Sequence, residues 1–596
     1  MTGSDLALLA RTVVHLRPQQ GASRVRLRAQ RSMARSWPGL ARRVFTGPDP
    51  AVAAGWPPVF LPVDARAPER WPGLGELKSG TIRLLGTARD LGDPPAWEHA
   101  GAPRLWRFHL HYWDWAWGLA ADPDRAAARA LFARLWRSWQ AAAEFGHGDA
   151  WLPYPAALRA WSWCGLHASL VAGADFEPSF VAGLAAHAGF LRRHLEFDVG
   201  GNHLIKGLKA LAGLAVFFAD ERLLRRALHR LTRQLALQVL PDGGHYERAP
   251  AYHCQVLADL IDVADLLQAA GLAAAGELTT AIARMRGWLG AVLSPDMRVP
   301  LLNDGYPVPR ELVSTLRPGP APAFPLLVLP DTGLVRAVAG DWHLLADVGA
   351  PCPAELPAHA HADTLGCLVH VAGKPLLVDT GTSTYDAGAV RDYERSTGAH
   401  NTAEVDGANS TEVWGAFRAA RRARVRGLTA GADSSGVTCE AAHDGYRRLR
   451  GRPLHQRRWS LTTAGLRVDD LVTGRGRHQV VIRWHLAPGS DVRITAEAAR
   501  VAAPAETALV TTPAGTALRA TPAGTALVTT PAGTFAVVVV ASRPMLLATE
   551  SRPVAAGFAA TTEAPALACH IDAGLPVQVI TVWRRAHDEA GVEVAA

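Results

Sequence analysis

A helical body followed by a strand-built body, a multidomain α+β arrangement, is the fold class this sequence predicts, and three observations carry it. From about Trp97 to Leu316, apolar residues recur at three- and four-residue intervals among alanines and leucines, which is the period of amphipathic helices. The run Arg317-Pro-Gly-Pro-Ala-Pro-Ala-Phe-Pro325 then stops the pattern, because proline removes backbone donors and cannot continue a helix. Beyond it the pattern becomes that of strands, as in Trp342 to Val348, Gln479 to Leu486 and Phe535 to Val540, each bounded by turn residues. A chain of 596 residues exceeds what one core usually supports. The boundaries expected are a basic N-terminal segment over 1–95, a helical domain over 96–325 and a sandwich over 326–596.

In chain order, Met1 to Leu16 carries Asp5 where the basic start of an export signal belongs, and Arg11 interrupts its apolar stretch, so it reads poorly as a signal peptide. On that ground alone the chain is expected in the cytoplasm. Arg17 to Arg43 is strongly basic, with helical spacing broken at Pro18 and Pro38. It is expected to pack on the main body, with attachment to an acidic membrane surface or a biosynthetic complex as the sharper reading. No apolar run approaches the ~20 residues that span a bilayer. The net charge of +8 suits an acidic partner, and nothing in its pattern points to nucleic acid. The six cysteines lack CxxC spacing and read as buried thiols.

The helical part contains two stretches rich in chemistry. Gly200-Gly201-Asn202-His203 opens a helix whose stripe is Leu204, Leu208, Leu211, Ala215 and Phe218, with Asn202, Lys206 and Lys209 on another face. Asn202 then stands at a helix N-terminus, where free N–H groups and the helix dipole favour a carboxylate. Asp242-Gly-Gly-His245-Tyr246-Glu247-Arg248 precedes a helix starting near Pro250, which puts Tyr246 in a loop at a helix mouth. Of the many aromatic residues, Trp151 and Tyr154, flanked by Pro153 and Pro155, are the expected exposed platform for a pyranose ring, and Arg159 the partner of a second carboxylate.

The strand-built part opens on His359-Ala-His361-Ala-Asp363. Gly366 to Val371 and Pro375 to Asp379 form a hairpin pattern around Ala-Gly-Lys, so the residues before the first strand and after the second share one end. His361 and Asp379 are therefore expected to meet. With His400, they supply imidazole and carboxylate donors of the type Zn²⁺ takes, water or substrate completing the set. The nine-residue repeat Pro513-Ala-Gly-Thr, Pro522-Ala-Gly-Thr and Pro531-Ala-Gly-Thr reads as strand-and-turn units at a sheet edge.

The run from His359 to Arg418 resembles the C-terminal signature of the heparinase II/III-like polysaccharide lyases, a family that also takes in alginate lyase relatives. Trp151-Leu-Pro-Tyr154-Pro with Arg159 and Trp163, Gly201-Asn202-His203-Leu with Lys209, and Gly243-Gly-His245-Tyr246-Glu247-Arg248-Ala-Pro250-Ala-Tyr252-His253 are similar to its helical-domain motifs, in the same order. The resemblance implies an incomplete α/α toroid followed by an antiparallel β-sandwich. It also implies cleavage of a uronic-acid polysaccharide, such as a glycosaminoglycan, by β-elimination. It places a tyrosine acid and base at Tyr246, carboxylate neutralisation at Asn202 and His203, a further active-site role at His359, and a structural metal at His361, Asp379 and His400. Such relatives work in the cell envelope or periplasm, against the expectation from Met1 to Leu16. Thr364-Leu365-Gly366 and Asn409-Ser410 depart from the family pattern, which bears on substrate preference.

Elimination needs a group that neutralises the uronate carboxylate, a base for the C5 proton and an acid for O4. A phenol is a base near neutral pH only beside cations, and His203, His245 and Arg248 are the expected ones. Two alternatives stand beside the lyase. One is a metal-dependent hydrolase with Asp363 or Glu394 as base; the other is a non-catalytic glycan-binding protein of an exopolysaccharide pathway. A retaining or inverting glycosidase would need two facing carboxylates, for which the helical half offers no pair.

Overall fold

The computed structural model describes residues 3–586 apart from 46, 318, 320–323, 496–508, 512–516 and 520. The N-terminal segment forms helices Gly3–Val13, Pro18–Ser36 and Pro38–Val44. The helical run breaks before each of the two prolines, as expected, and a new helix begins on each, at a first helical position where no N–H is missed. A short hairpin, Thr81–Leu84 with Thr87–Asp90, leads into the helical domain.

That domain is an incomplete α/α toroid, and its two kinds of helix are visible in their burial. Gly201–Phe217 is apolar nearly all round and buried along most of its length, packed against Pro153–Leu166, Glu221–Gln238 and Pro250–Ala269. Glu221–Gln238 instead buries one stripe, Leu223, Ala227, Leu231 and Leu235, and turns its arginines outward. Lys209 shares the helix face of Asn202 and Lys206, as expected, but that face is turned inward. It is buried, donating at 2.8 Å to Asp259 and 2.6 Å to Asp262. The last helix, Arg310–Leu316, ends where the proline-rich connector begins; 318 and 320–323 of that connector lie outside the described residues.

The second domain is an antiparallel β-sandwich. An eight-stranded sheet faces a five-stranded sheet, built from Leu326 to Leu377, and a four-stranded one. The two smaller sheets join edge to edge, since Val378 N–H donates to His485 O at 3.0 Å and Ala487 N–H to Leu376 O at 3.2 Å. The expected hairpin is present as Cys367–Val371 with Lys374–Leu377. Of the nine-residue repeat, the second and third copies form the hairpin Thr521–Thr530 with Gly533–Ala541, next to the edge strand Asp491–Thr495; 513–516 of the first lie outside the described residues.

The domains are pinned together. Asp242 accepts the N–H and hydroxyl of Thr332 at 2.7 and 2.8 Å, and Trp288 donates to that hydroxyl at 3.0 Å. An apolar cluster of Trp288, Val292 and Leu302 with Leu334, Leu345 and Leu368 lies beside them. This junction brings the chemistry-rich stretches of both halves together.

Candidate active site

A continuous chain of buried hydrogen bonds crosses the domain boundary. Glu247 accepts from Asn202, through the backbone N–H at 2.8 Å and the side-chain amide at 3.0 Å. The same carboxylate lies 3.3 Å from His359 Nε2, and His359 Nδ1 lies 2.8 Å from Asp304. Asp304 also holds His361 Nε2 at 2.9 Å and the guanidinium of Arg391 at 2.6 Å. Two positions make the chain geometrically possible. Gly201 has φ of +54°, and a Cβ there would stand 1.7 Å from Glu247 Oε1, so only glycine fits. Asn303, also at positive φ (54°), accepts the backbone N–H of His361 at 3.0 Å and so fixes the histidine loop against the helical domain.

The electrostatics follow from counting partners. Burial opposes charge on His359, but its hydrogen bonds to Asp304 and Glu247 outweigh this and raise it to about 9, so it is an imidazolium at neutral pH. Burial likewise pushes Glu247 up, and His359 with Asn202 reverses this and holds it at about 2. Asp304, despite burial, is held well below the usual carboxylate range by Arg391, His359 and His361.

Around this chain stand the remaining candidates. The Tyr246 hydroxyl accepts from Gly201 N–H at 2.9 Å. Burial and Glu247 push its pKa up, so it stays protonated and is suited to acid rather than base work. Tyr252 packs its ring on His359, centroids 3.9 Å apart, and shares a 2.8 Å hydrogen bond with the Tyr385 hydroxyl. It stands in the sequence motif, which assigns it no role. Burial raises its pKa too. His203 is partly exposed, its Nδ1 is 3.0 Å from Glu196, and its ring lies 4.2 Å from that of Tyr154. Asp304 was invisible in the sequence; its only signal is the Asn303-Asp304-Gly305 turn between apolar runs.

Four expected substrate contacts are structural instead. Arg159 is 0% exposed, donating to His187 and to the His111 carbonyl at 3.0 Å each, among Trp139, Trp151 and Trp163. Trp151 is stacked on His187 in that core, so Tyr154 remains the only half-exposed ring of the expected platform. His245 is buried against Gln238 at 3.0 Å and lowered by burial to about 4, so it supplies no cation. Arg248 donates to Thr332 O at 2.9 Å and serves the domain junction. Asn202 is itself only 2% exposed with its amide donated to Glu247. Its amide is therefore committed to Glu247 and is not free to bind a substrate carboxylate directly.

His361, Asp379 and His400 come together at the sandwich end of the chain. His400 Nδ1 is 2.8 Å from Asp379, and the rings of His361 and His400 lie 5.4 Å apart. Burial holds His361 at about 3, so the neutral ring donates Nε2–H to Asp304 and leaves an Nδ1 lone pair. His361 Nδ1, His400 Nε2 and both oxygens of Asp363 are buried without a hydrogen-bond partner. Burial, with repulsion from Asp379, raises Asp363 to about 6 even against the pull of His400. This donor set has the chemistry of a divalent-cation site. Its present spacing is not closed: among the described residues, no three His, Cys, Asp or Glu side chains converge in metal-holding geometry.

Two family models cover most of the chain: the heparinase II/III N-terminus matches residues 107–325, and the heparinase II/III-like C-terminal domain matches 321–544. The chain belongs to the heparinase II/III-like family. Among curated proteins it is similar to FtsZ-localized protein C of Caulobacter vibrioides, 28% identical over 390 residues that span 63% of this chain and 66% of that protein. Among solved structures it resembles heparinase III, with a TM-score of 0.67 and 16% identity over 85% of this chain and 81% of the other. It also resembles the heparan sulfate lyase HepC from Pedobacter heparinus, with a TM-score of 0.56 and 16% identity over 95% and 88%. At such identities the structures share a fold.

Proposed function

We propose that the protein is a polysaccharide lyase that opens a uronic-acid polymer by β-elimination in the cleft between its two domains. The observation that supports this is the chain Asn202–Glu247–His359–Asp304, with its one imidazolium, beside which stand the phenols of Tyr246 and Tyr252. The substrate carboxylate takes the place of Glu247 on His359 Nε2, the longer of that ring's two contacts, and the imidazolium, held at Nδ1 by Asp304, makes the C5 proton acidic. His203 donates Nδ1–H to Glu196, so its Nε2 lone pair takes the C5 proton, beside the sugar platform of Tyr154. The C4–O4 bond breaks as the C4–C5 double bond forms, and a phenol protonates O4. We assign that phenol to Tyr252, which lies on the imidazolium. Tyr246 is the second reading, favoured by its hydroxyl lying beside the helix start that carries Asn202 and His203.

The test is turnover of uronate polymers followed by the ultraviolet absorbance of the unsaturated product. Tyr252→Phe is expected to lose about a thousand-fold, within the range for a proton-transfer group, and Tyr246→Phe about ten-fold or less. The reverse order would move the acid to Tyr246. A metal-dependent hydrolase would give new reducing ends without the absorbance, and a non-catalytic glycan-binding protein would give neither.

We also propose a divalent cation, Zn²⁺ by donor type, on His361, Asp379 and His400, with Asp363 beside them. It would neutralise the carboxylates and hold the loop that carries His359. Support comes from the unpartnered nitrogens and oxygens gathered there. Metal analysis of the purified protein is expected to give about one zinc per chain, abolished in His361→Ala.

A further inference from the structure

We infer that the N-terminal helices form a docking surface for an anionic lipid bilayer. The first observation is where the charge lies. Residues 1–45 contain nine arginines and one carboxylate, Asp5, an excess of eight. The whole chain has a formal net charge of +8, so the remainder of the protein is balanced and its entire surplus sits in this segment.

The second observation is how that segment is mounted. Helix Pro18–Ser36 buries Gln20, Leu27 and Ala34 against the body, and the Gln20 amide donates at 3.3 Å to Asp198 O of the helical domain and to Glu355 O of the sandwich. The helix is thus fixed in orientation across both domains, and its opposite face points to solvent. The midline of that face is Val25, Ala29, Ser32 and Ser36, uncharged and exposed. Arg26 flanks it on one side, Arg28 and Arg35 on the other, all exposed and forming no ion pair among the described residues. Val25 is 68% exposed, and at the kink beyond the helix Trp37 is 63% and Leu40 49% exposed. Among the described residues, half of the large apolar side chains that stand exposed fall within the first 61 positions.

Arginines flanking a neutral midline, with a tryptophan and leucine projecting beside it, suit the boundary between headgroups and acyl chains. Guanidinium groups there pair with phosphates while the apolar tips enter the hydrocarbon edge. An acidic polysaccharide would be drawn by the same arginines and could lay a sugar ring on Trp37, but it would have no use for exposed Val25 and Leu40. The charge pattern and the apolar tips together select the bilayer.

The experiment is flotation of the full-length protein with vesicles of phosphatidylcholine alone and with roughly one-third phosphatidylglycerol. Binding is expected only with the anionic lipid and is weakened by salt. The triple variant Arg26→Glu, Arg28→Glu, Arg35→Glu is expected to bind more than about a hundred-fold more weakly, since each lost arginine costs about five-fold and each glutamate adds repulsion. Trp37→Ser with Leu40→Ser is expected to bind several-fold more weakly at unchanged net charge. All five positions are exposed, and near-ultraviolet circular dichroism checks that the variants keep the native fold. Three outcomes would overturn the inference: no flotation with anionic vesicles, equal flotation with neutral ones, or wild-type affinity in both variants. So would retention on heparin or alginate beads that is lost in the charge variant while vesicles fail to bind, which would make the surface a polyanion site.

Discussion

His359 and His361 lie two residues apart on one loop, share the carboxylate of Asp304, and carry opposite charge states. His359 touches two carboxylates, Asp304 and Glu247, and is raised to about 9; His361 touches one, with Arg391 and His400 nearby, and burial takes it to about 3. The Glu247 side of Asp304 is consequently a finished network in which each charge has its partner. The sandwich side is unfinished, with two imidazole nitrogens and a whole carboxylate lacking partners. A buried site left in that condition is costly unless something cationic completes it. On the proposed reading the same aspartate divides a reactive centre from a cation-binding centre, and the number of anions around each ring sets them apart.

The largest effect should come from the reactive side. Beyond the loss expected of Tyr252→Phe, His359→Ala should remove about a hundred-fold or more of turnover, since it deletes the charge that makes the C5 proton acidic. Retention of half the wild-type rate would mean that the cation is not part of the chemistry. Asp304→Asn strikes both sides at once. It strands Arg391 and His359 in the interior, and breaking a buried charge pair in this way costs about 3–5 kcal/mol, measurable by urea denaturation. A variant as stable as wild type would show that the aspartate joins nothing.

Metal removal distinguishes the two sides more gently. Chelation should lower the melting temperature and leave the His361→Ala variant, already without its ion, unaffected. The smallest effect is that of pH. Because the folded-state value of His359 is raised above its ordinary 6.5, its stabilisation is complete below about pH 6.5 and is lost as pH rises through about 9. The melting temperature should therefore fall by several degrees between neutral pH and about pH 10. This alkaline component should shrink in Glu247→Gln, which removes one of the two anions and leaves Asp304. Persistence of the full slope in that variant would assign it to another group.

Much of this architecture was legible in the sequence because it rests on periodicity. The change from helical to strand spacing at the proline connector, the hairpin around Ala372-Gly373, and the two N-terminal prolines all stand where local chemistry put them. The neighbourhood of Asn202, Tyr246 and His359 was legible as well, through glycines and polar residues that no surface requires. What failed was burial. Arg159, Trp151 and His245 carry the side chains of a sugar site but face inward, and a sequence does not reveal the direction of a helix face when apolar residues surround it on all sides. Tyr252, the phenol to which we assign the acid role, is not picked out by the sequence because its place in the first turn of a helix does not reveal that its ring packs on His359. Asp304 acts on residues 55 and 57 positions away, through a fold-level contact that no local pattern encodes.

The most direct test of the central claim is spectroscopic. Wild-type protein, His359→Ala and Tyr252→Phe would be given the same panel of uronate polymers while ultraviolet absorbance and new reducing ends are followed together. Elimination across the domain boundary predicts that both signals rise in step for wild type on at least one polymer and that neither rises for the variants. Reducing ends without absorbance, or equal rates in all three proteins, would contradict it.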